Sequence, residues 1–351
     1  MKKVHLLNIS GMHLLLIMMM GLAAITGCQK DDAINAQAAS EDGNTIKFVL
    51  NDNFNFSMAN AAVNNVRLNS ILAEKGPYTF FVPNNNAFAS VSITEQSRLS
   101  FYSNSQLTNL MSYGIVNEKL ELKKLPLTDN KAFKTRSGGN IYISKYLNGT
   151  DTVITVNGVQ IISTDNPASN GTVQVLPQMM NPEVYSKVTG YLRADTSVTL
   201  FNAALERSGL STTLLNGNDV YTLLAPSNLA FQQSAQLGLN LGISTLDSIV
   251  HAQPARLAAL LRYHIIKGRY FDNDFFNLSN NGTKAITMLS GGEMNIGGLQ
   301  GGFKAINFIA GGANGIPAQI YVPVTYSPTT INVNLPCGNG VVHIINRVLI
   351  P

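Results

Sequence analysis

The sequence predicts an α+β protein built from two tandem copies of one module. Three observations support this fold class. Similar segments recur in the same order in the two halves of the chain. Apolar residues follow a helical spacing early in each half, and β-rich runs separated by turn residues follow later. Helices that precede a group of strands favour an α+β fold over an alternating parallel one.

Three pairs of similar segments define the duplication. TFFVPNNNAF pairs with TLLAPSNLAF, LMSYGIV with LLRYHII, and NGTVQVLPQMMNP with NGVVHIINRVLIP. The separation between partners grows from 143 residues (Pro83 to Pro226) to 169 residues (Gln174 to His343), so the second copy contains longer insertions. Surface loops accommodate insertions at little cost in stability. The residues that mark the motifs are Thr79, Pro83, Phe88, Thr222, Pro226, Phe231, Asn339, Gly340 and His343.

This order of motifs resembles two tandem fasciclin domains, and the resemblance covers about residues 46–351. It implies that each domain is a β-sandwich or wedge with helices packed at one side. It also implies a non-catalytic role in cell adhesion. We expect a diverged first domain at residues 45–184 and a second domain, closer to the family pattern, at residues 185–351.

The first 28 residues predict a lipoprotein signal. Lys2 and Lys3 precede a twelve-residue apolar run at 14–25, and the sequence ITGC ends at Cys28. The run is shorter than the roughly twenty residues that a membrane-spanning helix needs. We therefore expect the Cys28 thiol to carry a diacylglyceryl group that anchors the protein in a membrane. An ordinary cleaved signal is the alternative.

Residues 29–44 predict a flexible tether, because QKDDAINAQAASEDGN offers almost nothing to bury. The cluster Lys30-Asp31-Asp32 resembles the export signal of lipoproteins of the Bacteroidetes type. That resemblance implies an outer-membrane protein that faces the outside of the cell. A generic charged linker is the alternative interpretation.

The first domain is expected to open with an amphipathic helix at 56–66 and a short second helix. A strand at 78–82 then ends at Pro83, which cannot donate to a sheet, and Asn84 or Asn85 caps the next helix. Another helix is expected to run into a strand at 113–116. Asn-Gly steps at 148–149 and 157–158 predict hairpin turns.

The second domain repeats this order. A helix around 198–208 is expected to stop at Gly209, Ser227 caps the helix after the next strand, and a further helix covers 255–265. Residues 283–334 predict several strands that are separated by glycines. The final segment, 341–350, is apolar on both faces of an extended chain, so we expect it to be covered on both sides.

Composition and motifs favour a binding protein over an enzyme. Without Lys2 and Lys3 the chain has 22 basic and 20 acidic residues, which gives no case for nucleic-acid binding. His251, His264 and His343 show no metal-ligand spacing, and the glycine-rich stretches lack phosphate-binding signatures. If Cys28 carries lipid, Cys337 has no partner for a disulfide. We expect no cofactor and no metal.

Tyr263 and His264 are the candidate binding residues. In the fasciclin family a Tyr-His motif is associated with adhesion contacts in animal members, and these two residues match it. The first domain has Tyr113-Gly114 instead, and Gln174 stands at the position of His343. The alternative is that both histidines are buried and hydrogen-bonded to backbone carbonyls.

The sequence is compatible with two functions. The first is a surface-tethered protein that binds an extracellular protein or matrix, and the second is a glycan-binding accessory of a polysaccharide uptake system. The chain has no Trp for a sugar platform, although 12 Tyr and 15 Phe could serve. Asp151-Thr152-Val153 and Asp247-Ser248-Ile249 resemble O-glycosylation acceptors of Bacteroidetes.

Overall fold

The computed structural model describes residues 43–236, 241–280, 283–297, 307–310, 318–320 and 333–351. They form a first repeat (about residues 45–184) and a second repeat (about 185–351) within one compact unit. The predicted leader with Cys28, and the predicted tether as far as residue 42, lie outside the described residues. None of the helices in these ranges combines the length and hydrophobicity that crossing a membrane requires.

In the first repeat most helices precede the main group of strands. The α-helices are α1 (Ile46–Asp52), α2 (Ser57–Asn65), α3 (Asn85–Ser90) and α4 (Asn104–Tyr113). Short 3-10 helices cover Phe54–Phe56, Ile71–Ala73, Gln96–Phe101 and Leu122–Lys124. The strands are β1 (Tyr78–Pro83), β2 (Ile115–Val116), β3 (Thr128–Lys134), β4 (Asn140–Asn148), β5 (Asp151–Val156), β6 (Val159–Gln160), β7 (Ser163–Ala168) and β8 (Gly171–Leu176).

The second repeat follows the same order. Its α-helices are α5 (Val188–Ala194), α6 (Thr199–Arg207), α7 (Leu210–Thr213), α8 (Asn228–Gln236), α9 (Leu246–His251), α10 (Pro254–Arg262) and α11 (Asp272–Leu278), with a 3-10 turn at Thr196–Val198. Its strands are β9 (Tyr221–Pro226), β10 (Ile265–Lys267), β11 (Ile286–Thr287), β12 (Glu293–Gly297), β13 (Asn307–Ala310), β14 (Ala318–Gln319), β15 (Leu335–Cys337) and β16 (Gly340–Ile345). Much of the predicted strand-rich stretch 283–334 lies outside the described residues.

Each repeat contains two four-stranded sheets. The first sheets have the equivalent orders β2-β1-β8-β7 and β10-β9-β16-β15. In both, the last long strand pairs in parallel with the first strand: Thr79 lies opposite Thr172, and Thr222 lies opposite Val341. The second sheets, β3-β4-β5-β6 and β11-β12-β13-β14, are antiparallel. The predicted α+β class is confirmed.

The last strand, β16, is buried on both faces, as the sequence predicts. Val342 and Ile344 pack among the helices of the second repeat, whereas Ile345 packs against its second sheet. All six residues of β16 are buried. This strand therefore joins two hydrophobic cores. Fully burying an aliphatic side chain contributes about 1.5–3 kcal/mol to the free energy of unfolding.

The strand is shorter than the expected segment 341–350. It ends at Ile345, and the chain then bends because Asn346 pairs with Gln319 of β14 through both its backbone N–H and its side-chain oxygen. Leu349 returns to the core, while Val348 and Ile350 are only half-buried.

Several local predictions are confirmed. The Asn84 side chain accepts from the Ala87 N–H at 2.9 Å, and the Ser227 hydroxyl accepts from the Ala230 N–H at 3.2 Å, so both residues cap the helix that follows. The turn between β5 and β6 has positive φ at Asn157 and Gly158, as a two-residue hairpin requires.

One predicted strand boundary was wrong, and some elements were not predicted. Tyr113 is the last residue of α4, so the expected strand at 113–116 is only β2. The predicted helix at 56–66 is α2, but the additional helix α1, which begins at Ile46 after the Thr45 cap, was not predicted. The strand β3 and the helix α5 were not predicted from the sequence. Both are weakly patterned, and β3 alternates only between half-buried and exposed residues.

The Asn-Gly motif at the start of each last strand acts as a clamp. Asn170 accepts from the Ile46 N–H at 2.8 Å and donates to the Leu72 carbonyl at 2.9 Å. Asn339 repeats this arrangement with the Val188 N–H at 2.8 Å and the Leu215 carbonyl at 2.7 Å. The asparagine clamp thus ties the first helix of each repeat to the segment that precedes its first strand.

The glycines of the motif permit close approach of two backbones. A Cβ on Gly171 would lie 1.8 Å from the Tyr78 carbonyl oxygen, and one on Gly340 would lie 2.0 Å from the Tyr221 carbonyl oxygen. A side chain at either position would push the last strand away from the first strand.

We expect Gly340→Ala to destabilise the second repeat by about 1 to 3 kcal/mol, the usual range for overpacking, and Gly171→Ala to do the same in the first. Urea unfolding followed by circular dichroism measures the change. Gly217→Ala is the matched control, because its Cβ would meet only the Leu214 carbonyl oxygen at 3.4 Å. Equal stability of the Gly340→Ala and Gly217→Ala variants would contradict the backbone-contact explanation.

Candidate functional site

Tyr263, a predicted binding residue, lies inside the second repeat. It follows α10, its side chain is 1% exposed, and its hydroxyl donates to the Glu293 carbonyl at 2.5 Å. Tyr113 makes the equivalent bond to the Asn140 carbonyl at 2.6 Å. In both repeats the tyrosine therefore joins the end of a helix to the first residue of a strand in the second sheet.

His264, the other predicted binding residue, is completely buried. Its Nδ1 donates to the Leu260 carbonyl at 3.0 Å, and its Nε2 accepts from the Leu349 N–H at 2.9 Å. These bonds require a neutral ring, and burial lowers the pKa of His264 to about 4. Neither Tyr263 nor His264 offers a side chain to a ligand at the surface, so the geometry favours the packing alternative. A binding role for these two residues stays a prediction.

His343 has a similar internal role. It is fully buried in β16, where Nε2 donates to the Tyr270 carbonyl at 2.9 Å and Nδ1 accepts from the Asn334 N–H at 3.3 Å. Burial lowers its pKa to about 4. At the same position of β8, the Gln174 oxygen accepts from the Asp165 N–H at 2.8 Å and its amide nitrogen donates to the Leu120 carbonyl at 3.4 Å. A neutral amide thus replaces a neutral imidazole.

The motif threonines hold the segment that passes beside these residues. The Thr222 hydroxyl donates to the Gly268 carbonyl at 2.8 Å and accepts from the Tyr270 N–H at 2.9 Å. Thr79 makes the same pair of bonds in the first repeat. The remaining motif residues are structural as well: Phe88 and Phe231 are buried, and Pro83 and Pro226 end the first strand of each repeat.

The cysteine in the described ranges is withdrawn from solvent. The free thiol of Cys337 is fully buried, and burial raises its pKa to about 12, so it stays protonated. Across the residues that the structure describes, no group of histidine, cysteine and acidic side chains could hold a metal ion.

The two repeats meet through an arginine that the sequence did not single out. The Arg269 guanidinium lies 3.8 Å from the centre of the Tyr142 ring of the first repeat, a cation–π contact. The same group donates to the carbonyl oxygens of Cys337, Gly338 and Gly340 at 2.7–2.9 Å. Arg269 therefore links the turn before β16 to the first repeat.

Buried polar contacts and an apolar cluster complete this junction. The Asn130 amide donates to the Asp274 carboxylate at 3.0 Å and to the Arg269 carbonyl at 2.8 Å. Burial raises the pKa of Asp274 to about 6, because its charged form is desolvated. Asn273 donates to the Gly158 carbonyl. The rings of Tyr142 and Phe271 and the side chain of Val341 form a hydrophobic cluster across the junction.

Open concavities on the described surface include two whose linings bear on binding. A groove of about 370 Å³ lies at the junction and has a mixed apolar and amide lining. A second concavity of about 380 Å³ lies on the first repeat beside Phe54, and amide side chains dominate its lining. Neither could be found from the sequence, since their walls combine residues from separate elements.

The two glycosylation candidates differ in environment. Thr152 lies near the start of β5 and is exposed, so modification there stays a prediction. Ser248 lies in α9 and is half-buried, and its hydroxyl donates to the Thr245 carbonyl at 2.8 Å. The local structure therefore favours Thr152 over Ser248 as an acceptor.

The fold defines a protein of two tandem α+β modules that are closed by buried last strands and joined by a polar junction. The family model described as "Fasciclin domain" matches residues 54–182 and 196–351. The chain belongs to the fasciclin domain family.

Relatives occur in animals and in a cyanobacterium. The chain is 28% identical over 280 residues to the transforming growth factor-beta-induced protein ig-h3 of Sus scrofa, covering 79% of this chain and 35% of that protein. It is 26% identical over 288 residues to Homo sapiens periostin, covering 81% and 30%. Protein sll1483 of Synechocystis is 30% identical over 151 residues, covering 43% of this chain and 80% of that protein.

The chain spans about a third of the length of these animal relatives. Among solved structures, a FAS1 domain pair from the insect cell adhesion molecule Fasciclin I matches with 18% identity and a TM-score of 0.39. That match covers 84% of this chain and 96% of that one.

The buried histidines predict a loss of stability in acid. Each pKa is lowered from 6.5 to about 4, so each contribution is complete above pH 6.5 and is lost as the pH falls toward 4. For one histidine this amounts to about 3 kcal/mol. Asp274, whose pKa is raised, acts in the opposite direction over the same interval.

We therefore expect the free energy of unfolding of His343→Gln, relative to that of wild type, to be higher at pH 4 than at pH 7. The substitution copies Gln174 of the first repeat. Because Asp274 is present in both proteins, its contribution cancels in the comparison. Urea titrations at pH 7, 5.5 and 4 measure the difference, and His251→Gln, which removes an exposed histidine, is the control. A difference that does not change with pH would show that His343 is not buried as a neutral ring.

Proposed function

We propose that this protein is a non-catalytic adhesion protein of the bacterial outer membrane, anchored by a lipid on Cys28 and exposed on the cell surface. The observation that carries the proposal is the pair of fasciclin domains behind an N-terminal segment that contains an apolar run and then ITGC. Fasciclin I, whose domain pair matches this chain, is described as a cell adhesion molecule. The partner is an extracellular protein, matrix component or glycan.

The environments of His264, His343 and Cys337 support binding over catalysis. His264 and His343 use both ring nitrogens in internal hydrogen bonds, so neither is available as a general base. The thiol of Cys337 is buried and protonated. Recognition therefore rests on the exterior of the two repeats.

The arrangement of the repeats also suits a binding module. Arg269, Asn130 and Asn273 make specific contacts across the junction, so the exposed surfaces of both repeats have a defined spacing. A defined spacing lowers the entropy that is lost when a partner binds both surfaces at once. The glycan-binding accessory of an uptake system is the second candidate, and the amide-lined concavity beside Phe54 favours it.

A deletion strain complemented with three forms of the gene tests the proposal. Wild-type protein should restore cell attachment to immobilised extracellular-matrix proteins, and protease treatment of intact cells should release it. Cys28→Ser should abolish anchoring and attachment, because it removes the lipidated thiol. Cys337→Ala is the matched control, since it removes the other cysteine and leaves the anchor.

Two results would contradict the proposal. Attachment that is unaffected by the deletion would remove the adhesion function. Complete protection of the wild-type protein from protease on intact cells would place it in the periplasm.

A further inference from the structure

Phe54 stands out among the exposed hydrophobic residues of the described chain. It is 84% exposed, whereas the next most exposed, Val184 and Leu229, are each 58% exposed. A ring in water contributes almost nothing to stability through burial. The backbone at this position is important, however, because the Phe54 carbonyl accepts from the Asn85 amide at 2.8 Å.

The second repeat shows that the fold does not need an aromatic residue at this position. Asn228 is the counterpart of Asn85, and its amide donates to the Thr196 carbonyl at 2.8 Å. The oxygen of each asparagine also accepts from an equivalent backbone N–H, that of Met58 at 3.1 Å or Leu200 at 2.9 Å. Thr196 thus stands where the first repeat has Phe54.

The concavity beside Phe54 is lined by neutral amides. Its volume is about 380 Å³. The lining residues are Leu50, Asn51, Asp52, Asn53, Phe54, Ser57, Asn60, Ala61, Asn64 and Gln96. No lysine, arginine or histidine is among them, and Asp52 is the single charged side chain. Such a lining does not suit a phosphate or an acidic peptide, which need cationic partners.

Hydrogen bonds orient three of these amides in a row. The Asn64 amide donates to the Asn60 oxygen at 3.3 Å, and the Asn60 amide donates to the Asn51 oxygen at 3.3 Å. This direction leaves a donor, the side-chain nitrogen of Asn51, at one end of the row. It leaves an acceptor, the side-chain oxygen of Asn64, at the other end. A row with both functions matches hydroxyl groups, which donate and accept.

The second repeat has an ion pair in the same place. The counterparts of Asn51 and Asn64 are Arg193 and Glu206, whose side chains approach to 3.3 Å. Asn202, the counterpart of Asn60, donates to Glu206 at 3.4 Å. The charged pair satisfies its own groups, so the two repeats share a backbone frame but differ in surface chemistry here.

From these observations we propose that the concavity formed by Phe54 and the amides of Asn51, Asn60 and Asn64 binds a neutral carbohydrate. The apolar face of a pyranose ring stacks on Phe54, and its hydroxyl groups bond to the amides at the two ends of the row. The inference rests on the proposed surface function and names the class of ligand that this site takes.

Purified full-length mature protein tests the inference. The probes are neutral hexasaccharides of glucose, mannose, galactose and N-acetylglucosamine, with an anionic uronic-acid hexasaccharide for comparison, measured by isothermal titration calorimetry. We expect binding to at least one neutral probe. Phe54→Thr, which copies Thr196, should weaken it about tenfold, and Asn51→Arg with Asn64→Glu should weaken it similarly.

The control variant is Leu147→Thr, which removes another exposed apolar side chain from the first repeat, 57% exposed in β4. Its affinity should stay within about twofold of wild type. Absence of binding to every neutral probe, binding of the uronic-acid probe alone, or full affinity in Phe54→Thr would overturn the inference. Cells that still attach to matrix proteins in that case would leave the proposed adhesion function standing.

Discussion

The parallel pairing of the last strand of each repeat with its first strand is the contact on which the rest of the fold depends. Thr79 and Thr172 face each other although 93 residues separate them, and their hydroxyl oxygens lie 3.2 Å apart. The pairing brings the Asn-Gly motif beside the first strand, where Asn170 and Asn339 reach the opening helix. Since glycine alone permits that approach, strand pairing, clamp and helix position are coupled.

The motif residues therefore explain the fold more directly than the function. Tyr263, His264 and His343 carry the chemistry that the sequence would nominate for a site, yet each uses its polar atoms inside the second repeat. In the proposed function, surface recognition rests on residues outside the motifs. The two repeats join around Arg269. The surface of the first repeat differs from that of the second at the concavity around Phe54.

Features that follow from local chemistry could be predicted from the sequence. Asn84 and Ser227 cap helices because a short polar side chain precedes a helical pattern, and Asn157-Gly158 forms a turn because both residues tolerate positive φ. The duplication also predicted the order of elements. The buried character of the last strand followed from its apolar residues on both faces.

What the sequence could not predict depends on contacts between distant segments. Tyr142 and Arg269 are 127 residues apart, and neither has a pattern that indicates the other. The half-polar strand β3 forms because it pairs with β4, and its own sequence shows no core-facing alternation. The exposure of Phe54 is likewise set by the position of α1 and α2.

Amide hydrogen exchange of the last strand tests the central claim most directly. If β16 closes the second repeat, the amides of Val342 and Ile344 should exchange only through global unfolding, with the free energy that denaturant titration gives. The half-exposed strand β3 should exchange much faster. Exchange of the β16 amides at rates close to those of β3 would show that the repeat folds without its last strand.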